Sequence, residues 1–234
     1  MTQLVFDFPK SAAFGRADFV VSEANAAALG WVDRWPEWPA PVLVLHGPEG
    51  TGKTHLAHLW GERAAAVLVP GMSLDDACLA KMIERPAARM AVDDADCAAE
   101  AMLLHLFNAC LESGGGLLLT ARRAPGLWPV ALPDLRSRLR AAPAVGIGAP
   151  DDGLLAAVLT KHFADRQLRV AAEVVAYLVR HIERSLASAR EIAACLDEAA
   201  LHGNRAITVP LAHRVLSARG VIPVYRRASD AGVT

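Results

Sequence analysis

The sequence predicts an α/β domain with a parallel sheet covered by helices, followed by a small all-helical domain. Three observations carry this. From about residue 42 to 149, short apolar runs alternate with helical patterns. After Pro150 the helical periodicity continues with no strand signal. A glycine-rich loop stands where the first strand hands over to a helix.

The apolar runs are PVLVLHG (41–47), AVLVPG (66–71), RMAVDDAD (89–96), GLLLTARR (116–123) and AVGIGAP (144–150). Each is too short for a lone helix, and most end in glycine or a polar residue, as buried strands do. Between them GKTHLAHLWGERA, SLDDACLAKMIE and AEAMLLHLFNACLESG read as helices. Strand-helix alternation calls for a parallel sheet buried on both faces. Beyond Pro150, DDGLLAAVLTKHFADRQ begins with aspartates suited to a helix start and then repeats apolar residues at helical spacing. AAEVVAYLVRHI, SLASAREIAACLDEAALHG and VPLAHRVLSARG continue the pattern. The expected boundaries are an N-terminal segment at 1–12, the α/β domain at 13–150, the helical domain at 151–220 and a tail at 221–234, with 226–234 expected to be disordered.

The 234 residues are 53% apolar and 21% charged, enough for a sizeable core and too little charge for wholesale disorder. The net charge of −1 lacks the basic excess of a dedicated DNA-binding domain. Four cysteines, Cys78, Cys97, Cys110 and Cys195, lie far apart with no CxxC pair and are expected as buried, reduced thiols. No signal peptide opens the chain and no run of about 18 apolar residues occurs, so a soluble cytoplasmic protein is expected.

The strongest motif is GPEGTGKT: Gly47, Pro48, Glu49, Gly50, Thr51, Gly52, Lys53 and Thr54. It fits the phosphate-loop pattern G-x-x-x-x-G-K-[ST] between a strand and a helix. Glycines let the backbone bend around phosphate oxygens, and N–H groups at a helix N-terminus meet the negative charge. Lys53 neutralises the outer phosphates and Thr54 offers its hydroxyl to Mg²⁺. The partner motif is the strand RMAVDDAD, with Asp93 placed to hold Mg²⁺ and Asp94 to orient an attacking water. His46, His55 and His58 around the loop are read as packing or solvated side chains. Trp31, Trp35 and Trp38 are read as covering a core edge rather than stacking on bases.

A phosphate-loop α/β domain followed by a helical lid resembles the AAA+ ATPases. In that family a lid residue reads the phosphates, and an arginine near the end of the α/β domain reaches a neighbouring subunit's site. LPDLRSRLR, with Arg136, Arg138 and Arg140, is similar to the motif before the last strand in DnaA replication initiators. AREIAACLDEA is similar to their lid motif, and FVVSEANAAALGWV to the segment before their first strand, near the adenine base. The resemblance runs from about Gln3 to Leu216. It implies Arg138 as a finger acting in trans and Arg190 as the lid arginine that senses nucleotide.

Only about fifteen residues follow Ala218, too few for the helix-turn-helix unit of a full initiator, so no sequence-specific DNA binding is expected. The chain thus resembles the Hda family, DnaA-related proteins that dock on the DNA polymerase III sliding clamp and stimulate hydrolysis of ATP on DnaA. The opening QLVFDF is similar to a clamp-binding peptide: Gln3 for polar contacts, and Leu4, Phe6 and Phe8 as apolar anchors. The implied ligands are ADP or ATP with Mg²⁺. The implied partners are DnaA and the clamp, with a homo-oligomer also in view and no membrane.

There is one departure. Where the family tends to have T-x-D-R-x-P, this chain has Thr120-Ala121-Arg122-Arg123-Ala124-Pro125. An arginine takes the place of the first-sensor acid, leaving Arg122 to meet phosphate or Thr120 to take over the polar role. Hydrolysis by this chain itself is therefore not implied. Two other readings compete: a DnaA-like loader that uses its own ATP cycle to remodel a replication protein, and a small-molecule kinase. Arg190 in a helical lid and the lack of an acceptor-substrate motif argue against the kinase.

Overall fold

A computed structural model describes residues 14–84, 87–203 and 205–222. The QLVFDF segment and the end of the tail lie outside the described residues. The five apolar runs form strands: β1 (Val42–His46), β2 (Val67–Pro70), β3 (Arg89–Asp93), β4 (Gly116–Ala121) and β5 (Ala144–Gly146). They make one parallel sheet in the order β2-β3-β4-β1-β5. Non-consecutive neighbours require helical crossovers, and the helices are α1 (Glu23–Asp33), α2 (Lys53–Ala64), α3 (Asp76–Glu84), α4 (Glu100–Ser113) and α5 (Pro133–Ala141).

Side chains alternate across a strand, so each central strand feeds two cores. Val42, Val44, Met90, Val92, Leu117 and Leu119 pack with Leu103, Leu106 and Phe107 of α4 and with Leu135 and Leu139 of α5. Leu43, Leu45, Ala91 and Leu118 face the other way, against Leu29 and Val32 of α1 and Leu56 and Trp60 of α2. The register Val44↔Leu119 and Leu45↔Thr120 keeps the two sets apart. A slip of one residue would exchange the faces. Trp31, Trp35 and Trp38 pack, as expected, against the edge of the second core, where the rings of Trp35 and Trp38 meet the buried Trp60 with centroids 4.7–5.4 Å apart.

Gly148 onward forms a second unit, to which the loop tip Pro48–Thr51 also belongs. Its helices are α6 (Asp152–Asp165), α7 (Ala172–His181), α8 (Leu186–Gly203) and α9 (Val209–Ala218). Asp151 caps α6 by accepting from Leu154 N at 2.7 Å. The helices bury Leu154, Leu155, Val158 and Leu159, then Val174, Val175 and Leu178, then Ala189, Ile192, Ala193 and Leu196, then Leu211, Ala212 and Leu216. That is the stripe of an amphipathic helix repeated four times. Tyr177 Oη and His213 Nδ1, 2.9 Å apart, link α7 to α9. No helix among the described residues is long and apolar enough to cross a membrane.

The cysteine reading needs correction. All four are free thiols, but only Cys110 is buried; Cys97 is exposed, and Cys78 and Cys195 are half-buried. Cys97 stands in a one-turn helix just after β3, where the chain has already left the core. Burial pushes the Cys110 thiol up to about 12.

Leu118 on the central strand is wholly buried. Leu118→Ala is expected to cost roughly 2–5 kcal/mol through lost transfer energy and a cavity. At roughly 2–4 °C per kcal/mol for a chain of this size, thermal unfolding should show a clear drop in midpoint. Leu127→Ala, at a residue 67% exposed, should stay within about 0.5 kcal/mol in the same melt.

Candidate functional site

In an open parallel sheet the ligand site forms beyond the carboxyl ends of the strands. Three such ends meet here. β1 runs into Gly47, β3 ends on Asp93, and β4 ends on Thr120 and Ala121. Gly47 N donates to Ala121 O at 3.1 Å and pins the loop to β4. A Cβ on Gly47 would lie 2.4 Å from the Ile147 carbonyl oxygen, so only glycine fits. Gly52 caps α2 with φ +97°, a conformation glycine adopts without strain.

Lys53, the first residue of α2, is 6% exposed, and its Nζ donates to Gly47 O at 2.9 Å. Burial pushes its ammonium below the ordinary value, while Asp94 and Asp93 pull it back up. Thr54 donates from Oγ1 to Asp93 Oδ2 at 2.8 Å. Thr120, wholly buried, donates from Oγ1 to Asp93 Oδ1 at 2.5 Å and accepts from Asp94 N at 2.9 Å. The Asp93 carboxylate thus bridges α2 and β4. Asp94 sits in the left-handed region at φ 51°, ψ 51°, a strained placement of the kind that clusters at functional sites. Its carboxyl is raised above the usual range, first by burial and then by the Asp93 charge.

The loop tip is held separately. Thr51 Oγ1 donates to Pro48 O at 3.0 Å, and Leu186 N donates to Gly50 O at 2.7 Å. Among the described residues no group of three or more His, Cys, Asp or Glu is arranged to hold a metal ion. A Thr54 hydroxyl beside an Asp93 carboxylate is nevertheless a donor pair that suits Mg²⁺. That ion keeps several waters and takes one or two protein oxygens together with phosphate.

The structure therefore brings Gly47, Lys53, Thr54, Asp93 and Asp94 together and adds Thr120. Of the two substitutes considered for the missing sensor acid, Thr120 is the one that binds Asp93. Arg122 donates its N–H to Asp96 Oδ2 at 3.2 Å, and its charge is felt at both Lys53 and Asp94. Arg138 pairs with Asp134 one helical turn away at 3.3 Å and takes no part in the Asp93 network among the described residues. Arg190 lies exposed on α8, where its charge helps to lower the pKa of His162 on α6 after the larger effects of burial and Arg166. His55 contacts Gly15 O at 3.2 Å and His58 stacks on Phe14 at 4.0 Å, in keeping with packing roles. Asp96 and Glu100 had no motif to announce them; their backbone partners, Arg122 and Ala131–Leu132, come from distant strand ends and loops.

The sheet order, the phosphate loop and the helical second unit make up an AAA+-type fold, a P-loop α/β unit followed by a helical one. Residues 151–216 match the family described as Hda, lid domain. The chain is 29% identical over 196 residues to the chromosomal replication initiator protein DnaA of Thermomicrobium roseum, spanning 74% of this chain and only 41% of that one. An uncharacterized protein of Haemophilus influenzae is 26% identical over 191 residues, 76% of this chain and 82% of the other. Domain III of Thermotoga maritima DnaA superposes with a TM-score of 0.80 at 17% identity, covering 90% of this chain and 98% of that one. A DnaA bound to AMPPCP and single-stranded DNA superposes at 0.68 and 16% identity, over 83% and 69%. The chain thus has the fold of DnaA domain III, and its residues 151–216 are similar to an Hda lid domain.

Lys53→Ala removes the buried ammonium from the loop. Calorimetric titration with ADP should show at least about a tenfold loss of affinity, the size expected when one charge-assisted contact is lost. Thr120→Val deletes one partner of Asp93 at nearly constant volume and should weaken Mg²⁺-dependent binding more than binding in EDTA. The same titration with and without Mg²⁺ checks it.

Proposed function

We propose that this protein binds adenine nucleotide, docks on the DNA polymerase III sliding clamp and stimulates hydrolysis of ATP held by DnaA, so restraining re-initiation of chromosome replication. The observation that carries the reading is the Hda-type lid at residues 151–216. The phosphate-loop geometry and the likeness to DnaA support it. The DnaA neighbour bound to AMPPCP favours an adenine nucleotide, ADP or ATP.

In this reading Gly47 to Thr54 cradle the phosphates, with Lys53 supplying the charge. Thr54 and Asp93 would hold Mg²⁺, and Arg190 would read the nucleotide from the lid. Bound Mg²⁺ supplies charge neutralisation on the phosphate oxygens. The half-buried Asp94 carboxyl, raised in pKa, is suited to orient water. Arg138 would act elsewhere: among the described residues its side chain pairs with Asp134, one turn away on its own helix, and in this reading it serves a second subunit. Gln3, Leu4, Phe6 and Phe8 would fill the clamp's apolar pocket. The work is cytoplasmic, and a homo-oligomer is compatible with an arginine used in trans.

One observation favours the loader reading. Thr120 ties both Asp93 and the Asp94 backbone, which keeps the hydrolytic end of the site ordered despite Arg122. A loader would turn over its own ATP without clamp or DnaA.

Phosphate release from ATP preloaded on DnaA, with clamp on DNA present, tests the proposal. Arg138→Ala should lower the stimulated rate by roughly 10³-fold, or to the unstimulated level, with ADP affinity unchanged. Full stimulation by that variant would refute the assigned role. Phe6→Ala with Phe8→Ala should abolish clamp pull-down without changing the thermal melt; unfolding instead would mean that the two rings belong to this protein's own core.

A further inference from the structure

Arg138 stands on a helix whose start is held from outside. The roll of α5 is set by Leu135 and Leu139, which are 0% and 1% exposed. Its first residue, Pro133, has no N–H, and its N-cap, Leu132, offers no side-chain hydrogen bond. The fixing group comes instead from Glu100, the first residue of α4. Both Glu100 carboxylate oxygens accept from Ala131 N, at 2.9 and 3.0 Å, and Oε2 also accepts from Leu132 N at 2.8 Å. Bonds to an ionised acceptor are the stronger kind. These two N–H groups hold the Glu100 carboxyl below the usual range, so the charged form is the one the loop retains. Arg136 completes the hold by donating from Nε to Val130 O at 3.1 Å, with Nη2 on the same oxygen. Three successive residues, 130–132, are therefore pinned by their backbone groups.

We infer that Glu100 is a positioning residue for Arg138. The inference rests on the reading of Arg138 as an arginine that acts on another subunit's ATP. Apolar packing is non-directional, so Leu135 and Leu139 leave axial sliding of α5 comparatively soft. The Glu100 bonds are directional and remove that freedom. Arg138 lies six residues beyond Leu132, roughly 9 Å along the helix axis. A displacement at the anchored end is carried to the guanidinium, and a misplacement of about 1 Å can cost on the order of 10²-fold in rate.

The test titrates the full chain against DnaA preloaded with ATP, with clamp on DNA, for wild type, Glu100→Ala, Glu100→Gln and Arg138→Ala. Thermal melts and ADP affinities are taken for each. Glu100→Ala should lower the maximal stimulated rate about tenfold, with half-saturating concentration and ADP affinity within about twofold of wild type. Glu100→Gln keeps one acceptor oxygen and should recover part of the rate, losing about threefold. It also carries the test should Glu100→Ala fail to fold. Wild-type maximal rates in the folded Glu100 variants, with Arg138→Ala inactive, would overturn the anchor alone. A loss confined to half-saturation or to the folded fraction would overturn it too. Full stimulation by Arg138→Ala would overturn both the anchor and the reading beneath it.

Discussion

The Asp93 carboxylate is the constraint on which the site depends. One oxygen takes the Thr54 hydroxyl from the start of α2, and the other takes the Thr120 hydroxyl from the end of β4. Three elements distant in sequence are thereby fixed at one point. The sheet makes this possible. Parallel pairing puts the carboxyl ends of β1, β3 and β4 on one edge, and strand alternation turns the apolar residues into two cores while polar groups gather where the strands stop.

Burial then sets the electrostatics. Lys53 is pushed toward its neutral form and Asp94 likewise, each held back from neutrality in part by the other's charge. A site in which opposite charges are both partly desolvated is prepared for added groups of both signs. In the proposed reading phosphate would answer the lysine, and a hard cation the aspartates. Arg122 adds positive charge beside this pair, at the position where the resemblance to DnaA implies an acid. That favours binding of anionic phosphate over in-place hydrolysis, in keeping with the proposal that Arg138 acts on a partner's nucleotide.

What was legible in the sequence is what short-range chemistry encodes. The phosphate loop needs particular residues at consecutive positions, and all of them are visible in GPEGTGKT. The five strands and the helices of the second unit followed from period and length. Long-range hydrogen bonds were not legible. Glu100 reaches the backbone of Ala131 and Leu132 across 31 and 32 positions, and no local pattern announces such a bond. Thr120 was visible only as a substitute for an absent acid; its shared hydrogen bonds emerge once β3 and β4 are paired. Cys97 was misjudged because the apolar residues around it continue past the point where the chain turns to solvent.

The central claim is that the Asp93-centred site takes the phosphates of an adenine nucleotide. Isothermal titration of the wild-type chain with ATP, in Mg²⁺ and then in EDTA, tests it most directly. The account predicts one site per chain and an affinity that weakens when Mg²⁺ is withdrawn. A folded chain that binds no ATP, or binds it equally well without Mg²⁺, would contradict it.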